Sequence, residues 1–276
     1  MSVFTDKWID EHKDELVEKL QQCVRINSVR DDDSTREGAP FGEGAAKCLE
    51  DTLNTAKEMG FAVKNLDGYC GTVDYGTGEE QLGILAHLDV VPEGEGWTYP
   101  PYAAEIHDGR LYGRGTMDDK GPAFAALFGL AAVKASGVET KRRVRLILGC
   151  DEECGMGCLH HYNEVEKAPD MCFSPDASYP LVNSEKMIYN SAYRKEYASS
   201  VRVKAGTVSN AVPGKAEVFV PVSADEVKAA VAKLNNADFT YNVSAADNGA
   251  NVVITGIAAH ASTPEQGKNA LRRCSL

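Results

Sequence analysis

Four groups of imidazole and carboxylate side chains punctuate the first two-thirds of the sequence: His87 and Asp89, Asp118 and Asp119, the triplet Asp151, Glu152 and Glu153, and Asp176. Each follows an apolar run or a glycine-rich turn, in GILAHLD, GRGTMDDKG, VRLILGCDEE and MCFSPD. Four carboxylates brought together would repel one another and take up protons unless divalent cations offset the repulsion. Histidine with Asp/Glu is the mixed N/O donor set that zinc, manganese and cobalt accept, and two such ions can share one carboxylate while activating a water. A plainer reading uses the same residues: acids at strand ends face solvent, and Asp151 to Glu153 cap the next helix. Spacing alone leaves both open.

His87 and Asp89 are two apart at a strand end, so their side chains start in the same direction and a carboxylate can hold the far ring nitrogen of a ligating histidine. A satisfied surface pair has the same spacing. Glu152 and Glu153, adjacent, cannot point the same way if extended, which permits one to hold an ion and the other to move a proton. Gly113 and Gly115 allow close backbone turning, or simply build a turn.

The elements that must position these residues follow from periodicity. Residues 8 to 25 place Ile9, Leu16, Leu20 and Val24 near helical spacing, and a second helix spans Ala45 to Met59, ended by Gly60. FAVKNL, CGTVDY, QLGILAHL and VRLILGC are short apolar runs suited to strands covered on both faces, with a helix over Pro122 to Ala135 between the last two. The predicted fold is α/β: a layered domain with a mixed, mostly parallel sheet and helices on both faces. Ligands of such sheets gather beyond the carboxyl ends of the strands, so groups distant in sequence can meet there.

From about residue 186 the texture changes to that of a smaller α+β domain, with strands in YASSVRVKAGTVSN, KAEVFVPV and NVVITGIA and a helix in DEVKAAVAKLNN. Ser223, Asp225 and Glu226 cluster where that helix should start. HASTPEQGKNALRR reads as the start of another helix. The predicted division is 1–185 and 186–276.

The chain has 41 acidic and 29 basic residues, a formal charge of −12, which makes a nucleic acid or an anionic membrane a poor partner. No run of 18 apolar residues occurs, and the start lacks the pattern of a secretory signal, so a cytoplasmic location is expected. Eight cysteines in 276 residues fall below the density of a disulfide scaffold and are expected to be reduced. Cys150, Cys154 and Cys158 recur every four residues, but without a CxxC pair they read as small apolar packing groups rather than a thiolate metal site.

Taken together, HLDVVP, LYGRGTMDDKGP, DEECGMG, SPDA and AAHASTPEQGKNA resemble the M20 metallopeptidases, in particular their bacterial PepV-like and Sapep-like dipeptidase branch. The resemblance implies two divalent ions, zinc foremost with manganese or cobalt compatible, and a small peptide substrate with a free amino end. It implies that His87 ligates one ion with Asp89 orienting it, that Asp118 bridges, that Glu153 and Asp176 ligate one ion each, and that Glu152 is the general base. It further implies that His260 stabilises the oxyanion from a lid domain and that Asn210 contacts substrate. Glu152 would deprotonate the attacking water and return the proton to the leaving amine.

Enzymes of this branch are longer: their catalytic domain resumes after the lid with a segment carrying a further histidine ligand. Against that pattern the sequence stops inside the lid, and ALRRCSL lacks the expected apolar helix continuation. The expectation is an impaired dipeptidase that self-associates or requires a complementary C-terminal chain. The alternatives are an inactive metal-binding remnant or an N-acyl amino acid deacylase of the same family. A serine hydrolase is disfavoured by the absence of a GxSxG elbow. GEGAAK at 42–47 follows a polar loop rather than a strand, and so lacks the context of a phosphate cradle.

Overall fold

The computed structural model describes residues 3–94, 96–177, 182, 184, 186–187, 189, 191–196, 198–206, 208, 210–234 and 237–274. The chain divides into two compact units, Met1–Val182 and Asn183–Leu276.

In the first unit, α1 (Val3–Val24) buries Leu20, Cys23 and Val24, and α2 (Glu43–Glu58) buries a stripe that includes Cys48, Leu49, Thr52 and Leu53. Helix α2 stops where Gly60 turns to φ +78 and the amides of Gly60 and Phe61 close back onto the carbonyls of Lys57 and Ala56. Then come β1 (Ala62–Leu66), β2 (Cys70–Tyr75), β3 (Gln81–His87) and a short hairpin, β4 (Glu105–His107) with β5 (Arg110–Tyr112). After them follow α3 (Lys120–Ala135), β6 (Arg143–Gly149), α4 (Gly157–Val165) and β7 (Met171–Phe173).

The main sheet runs β1-β2-β6-β3-β7. Pairs β1–β2 and β2–β6 are antiparallel, while β3–β6 and β3–β7 are parallel. The sheet is therefore mixed as expected: β1, β3, β6 and β7 run in one direction and β2 against them, because β1 and β2 form a hairpin beside the parallel strands. Its two faces are both covered. A side chain added at Gly71 would meet Leu49 and Leu53 of α2, whereas one at Gly149 would meet Cys158 of α4. Gly71 pairs with Leu148, the neighbour of Gly149, and successive strand residues point to opposite faces. Double coverage explains why Leu146, Ile147 and Leu148 of β6 are all buried.

Charged side chains share this interior, Arg145 the largest among them. Arg145, 2 % exposed, forms a fork on Asp74 at 2.7 and 2.9 Å and reaches Glu166 at 2.7 Å, so its charge is paired where water is excluded.

The second unit has a four-stranded antiparallel sheet in the order β11-β12-β10-β8. Its strands are β8 (Arg202–Ala205), β10 (Lys215–Val220), β11 (Thr240–Ala246) and β12 (Gly249–Thr255), and β9 (Ala211–Val212) pairs separately with β13 (Ala259–His260). Helix α5 (Ala224–Val231) begins with a capping box: Ser223 accepts from the Glu226 amide while the Glu226 carboxylate accepts from the Ser223 amide. Its Val227 joins Ala216, Val218, Val252 and Ile254 in a small core.

The helix expected in HASTPEQGKNALRR is replaced by two short 3-10 turns, Pro264–Gln266 and Leu271–Arg273. Pro264 starts the first, and Gly267 in an extended conformation stops it after three residues. Among the described residues no helix is long and apolar enough to cross a membrane.

Candidate metal centre

Strand register brings the acidic groups together. His87 at the end of β3 pairs with Gly149 at the end of β6, which leads directly into Asp151, Glu152 and Glu153. Ile84 pairs with Phe173, so the chain three residues beyond each places His87 and Asp176 at the same end of the sheet. Asp118 and Asp119 arrive from the turn before α3, which packs on β3 and β6. That turn depends on Gly115 at φ +83, where a Cβ would stand 2.8 Å from Val90.

The buried imidazole of His87 is the hub. Its Nδ1 lies 3.0 Å from the Asp89 carbonyl oxygen, and its Nε2 faces Asp118 Oδ1 at 3.1 Å, Asp176 Oδ2 at 3.5 Å and Glu152 Oε2 at 3.8 Å. A carbonyl only accepts, so Nδ1 carries the proton that it donates there. A neutral ring then presents the Nε2 lone pair to carboxylate oxygens, an arrangement that requires a cation between them, either a proton or a metal ion. Among the described residues two trios have donor atoms within 4.8 Å of one another: His87, Asp118 and Asp176; and His87, Glu152 and Glu153.

Electrostatics describe the same crowding. Burial lowers the basicity of His87, but hydrogen bonds with Asp118 and Asp89 outweigh it and push the pKa up to about 12. Burial and the Asp118 charge raise Glu153 to about 7. Glu152 is raised by burial and by Asp89 and Asp176, and Asp176 by burial and Asp118. These shifts mark acids held closer than their charges favour, and divalent cations would relieve them. One imidazole nitrogen among carboxylate oxygens also has the donor chemistry of zinc or manganese, so the residues fit the ions the sequence suggests.

Asp89 departs from its expected contact. Its backbone carbonyl, rather than its carboxylate, makes the short contact to His87; the nearest carboxylate oxygen is 3.5 Å away. The carboxylate instead accepts from the amides of Glu152 at 3.1 Å and Glu153 at 3.0 Å. Asp89 thus ties the turn holding the two glutamates to the strand end holding the histidine. Asp119 separates clearly from Asp118: it is fully buried and its Oδ2 accepts from the His87 amide at 3.0 Å, while Asp118 has a 62 % exposed side chain facing Nε2.

The helix-capping reading survives for one member of the acidic triplet. Asp151 Oδ2 accepts from the Gly157 amide at the start of α4, and Asp151 Oδ1 accepts from Arg30 at 2.9 Å. Glu152 and Glu153 turn to the cluster. Arg30 was not legible as part of the site, because 121 positions separate it from Asp151. Nor was Lys120, buried, whose Nζ donates to the carbonyls of Cys23 and Ile26 and anchors the turn after Asp119. Cys150 and Cys158 are buried in the core and Cys154 is exposed.

The other two candidates lie in the second unit. His260 pairs with Ala211 across β13 and β9, and the Ala261 amide donates to the Asn210 carbonyl at 2.7 Å, so Asn210 and His260 are neighbours. The Ser262 amide donates to His260 Nδ1 at 3.2 Å, which leaves the proton of a neutral ring on Nε2.

Imidazole and carboxylate donors gathered at the carboxyl ends of a mixed α/β sheet define a candidate divalent-cation site. The chain belongs to peptidase family M20/M25/M40, whose family model matches residues 83–262. A Bacillus subtilis (strain 168) protein named "Putative dipeptidase YtjP" is 37% identical over 94% of this chain and 58% of its own length. The Beta-Ala-Xaa dipeptidase of Lactobacillus delbrueckii subsp. lactis is 36% identical over 93% of this chain and 57% of its own. The chain thus spans somewhat over half the length of these relatives. Among solved structures, an M20 family metallo-carboxypeptidase from Sulfolobus solfataricus shares the fold with a TM-score of 0.50 at 15% identity, covering 88% of this chain and 71% of that one.

Proposed function

We propose that this chain supplies the metal-holding and proton-transfer residues of a dipeptidase that hydrolyses short peptides with a free amino end. The observation that carries the proposal is His87 Nε2 facing three carboxylates while its Nδ1 is committed to the Asp89 carbonyl. The dipeptidase names of relatives at 36% and 37% identity support the substrate class.

In this reading His87, Asp118 and Asp176 would hold one divalent ion and Glu153 would contribute to a second, with the Asp118 carboxylate available to both. Such ions polarise a scissile carbonyl and make water acidic enough to be deprotonated near neutral pH. Glu152, its carboxylate made more basic by burial and by neighbouring acids, takes a proton from the attacking water and delivers it to the leaving amine. Asp89 keeps Glu152 and Glu153 in place through their amides. His260, with its proton on Nε2, is the donor to the oxyanion, and Asn210 contacts the substrate. The compartment proposed is the cytoplasm.

Hydrolysis of unblocked dipeptides and of N-acyl amino acids, each assayed with added Zn²⁺ or Mn²⁺, tests the proposal. Turnover of free dipeptides alone is expected. Preference for N-acyl substrates would replace the reading with a deacylase, and metal binding with no turnover of either class would leave a binding remnant.

A further inference from the structure

The candidate site uses none of the cysteines, yet two of them are in contact. Cys23 on α1 and Cys48 on α2 have their sulfurs 3.4 Å apart and are 4% and 0% exposed. Neighbouring groups hold them there. Cys23 Sγ lies 4.0 Å from the hydroxyl of Thr52, which donates to the Cys48 carbonyl at 2.8 Å, and Cys48 Sγ lies 4.0 Å from the Leu88 carbonyl. A surface pocket of about 160 Å³ adjoins Cys23, lined also by Thr52, Asp51, Gln22, Lys19 and Phe124 among others. That volume accommodates a few water-sized molecules, so a small oxidant can reach Cys23 without unfolding the helices.

We propose that Cys23 and Cys48 form a redox modification site, a dithiol that a small hydroperoxide converts into an intramolecular disulfide joining α1 to α2. The hydrogen bond between the sulfurs, ahead of burial, raises Cys23 well above the ordinary thiol range, while the same bond lowers Cys48 to about 7. The bond favours the thiolate on Cys48; passage of the Cys23 proton across it moves the charge to Cys23, the sulfur that lines the pocket, against the direction of those two shifts.

The Cys23 thiolate attacks one peroxide oxygen; an S–O bond forms, the O–O bond breaks, and the leaving hydroxide or alkoxide takes a proton from water. Cys48 sulfur then attacks the Cys23 sulfenic sulfur. The S–S bond forms, the S–O bond breaks, and hydroxide leaves with the Cys48 proton as water. The two thiols lose two electrons and the peroxide gains them. Closure requires the sulfurs to approach from 3.4 Å to about 2.05 Å, a movement that rotation about the side chains and a small helix shift provide. Because the Cys23 carbonyl also accepts from Lys120, the cross-link bears on the turn that carries Asp118.

The test is peptide mapping of the native chain after mild hydrogen peroxide, with free thiols alkylated before and after unfolding. The expected product is a linked pair of peptides containing Cys23 and Cys48, two hydrogens lighter than their sum and separated by dithiothreitol. The linked pair should vanish in C23S and C48S. Recovery of both residues as free thiols alkylated only after unfolding, while exposed Cys154 and Cys172 are oxidised, would overturn the proposal. So would finding each bonded to a different cysteine. The wild-type map decides the matter even where a serine variant folds poorly, and neither outcome depends on peptidase activity.

Discussion

The two units hold their candidate residues in opposite ways. In the first, an almost fully buried His87 is approached by acids from three other segments; the Asp119 carboxylate accepts from its amide, and the Asp89 carboxylate accepts from the amides of Glu152 and Glu153. In the second, His260 is exposed and its ring is oriented by Ser262, two positions along the chain. A cluster assembled from distant segments is bound up with the stability of its domain, because its like charges are held together by the fold. A histidine set by a local contact on a two-residue strand carries little of that stability. The metal-holding half should therefore answer to ions, pH and folding together, while the His260 half should answer to catalysis alone.

The largest expected effect is on turnover. Glu152→Gln should lower kcat by roughly 10²–10⁴, as read by steady-state dipeptide hydrolysis, with ion affinity nearly unchanged. His260→Ala should lower kcat by about 10²–10³ and leave both the melting temperature and the metal isotherm where they were. A loss of stability in H260A would show that the second unit is not the locally organised region described above. Next comes Asp89→Asn, which keeps the carbonyl contact to His87 but exchanges one acceptor of the Glu152–Glu153 turn for a donor. A weakening of metal binding by about 10- to 100-fold is expected by titration calorimetry.

The smallest effect is a pH dependence. Glu153 and Asp119 are each raised to about 7, Glu153 by burial and the Asp118 charge, Asp119 chiefly by burial. A folded pKa above the unfolded value means the folded, metal-free chain binds the extra protons. The stability they bring is complete below the ordinary values of 4.5 and 3.8 and is lost as pH rises to about 7. Chemical denaturation of the metal-free chain at a series of pH values should show that decline. Saturating Zn²⁺ or Mn²⁺ should flatten it and tighten with rising pH, since ligands must be deprotonated. A metal-free stability that climbs from pH 5 to 7 would contradict the described crowding.

The strand ends were the legible part of the site. Short apolar runs ending in His or acidic residues located β3, β6 and β7, and the rule that sheet ligands gather at carboxyl ends brought their residues to one place. What spacing could not supply was the direction of individual atoms. Asp89 sits at the expected offset from His87, yet a short backbone turn gives the imidazole contact to its carbonyl and the carboxylate to the Glu152 and Glu153 amides. Arg30 and Lys120 escaped because their partners are backbone carbonyls or an acid far along the chain, which leave no periodic trace. In the second unit, β10 and β12 declared themselves by apolar runs. Strand β11, TYNVSAA, alternates polar and apolar residues from Thr240 to Ala245, a period-2 signal that a search for continuous apolar runs passes over, and it pairs with all seven residues of β12.

The claim on which the rest depends is that the carboxylates around His87 hold divalent ions. Metal content by elemental analysis after dialysis against Zn²⁺ or Mn²⁺, on the wild-type chain and on His87→Ala, tests it most directly. At least one ion retained per wild-type chain, and lost or sharply reduced in H87A with the fold preserved by circular dichroism, is the predicted result. No ion above the dialysis background, or equal retention by H87A, would contradict it.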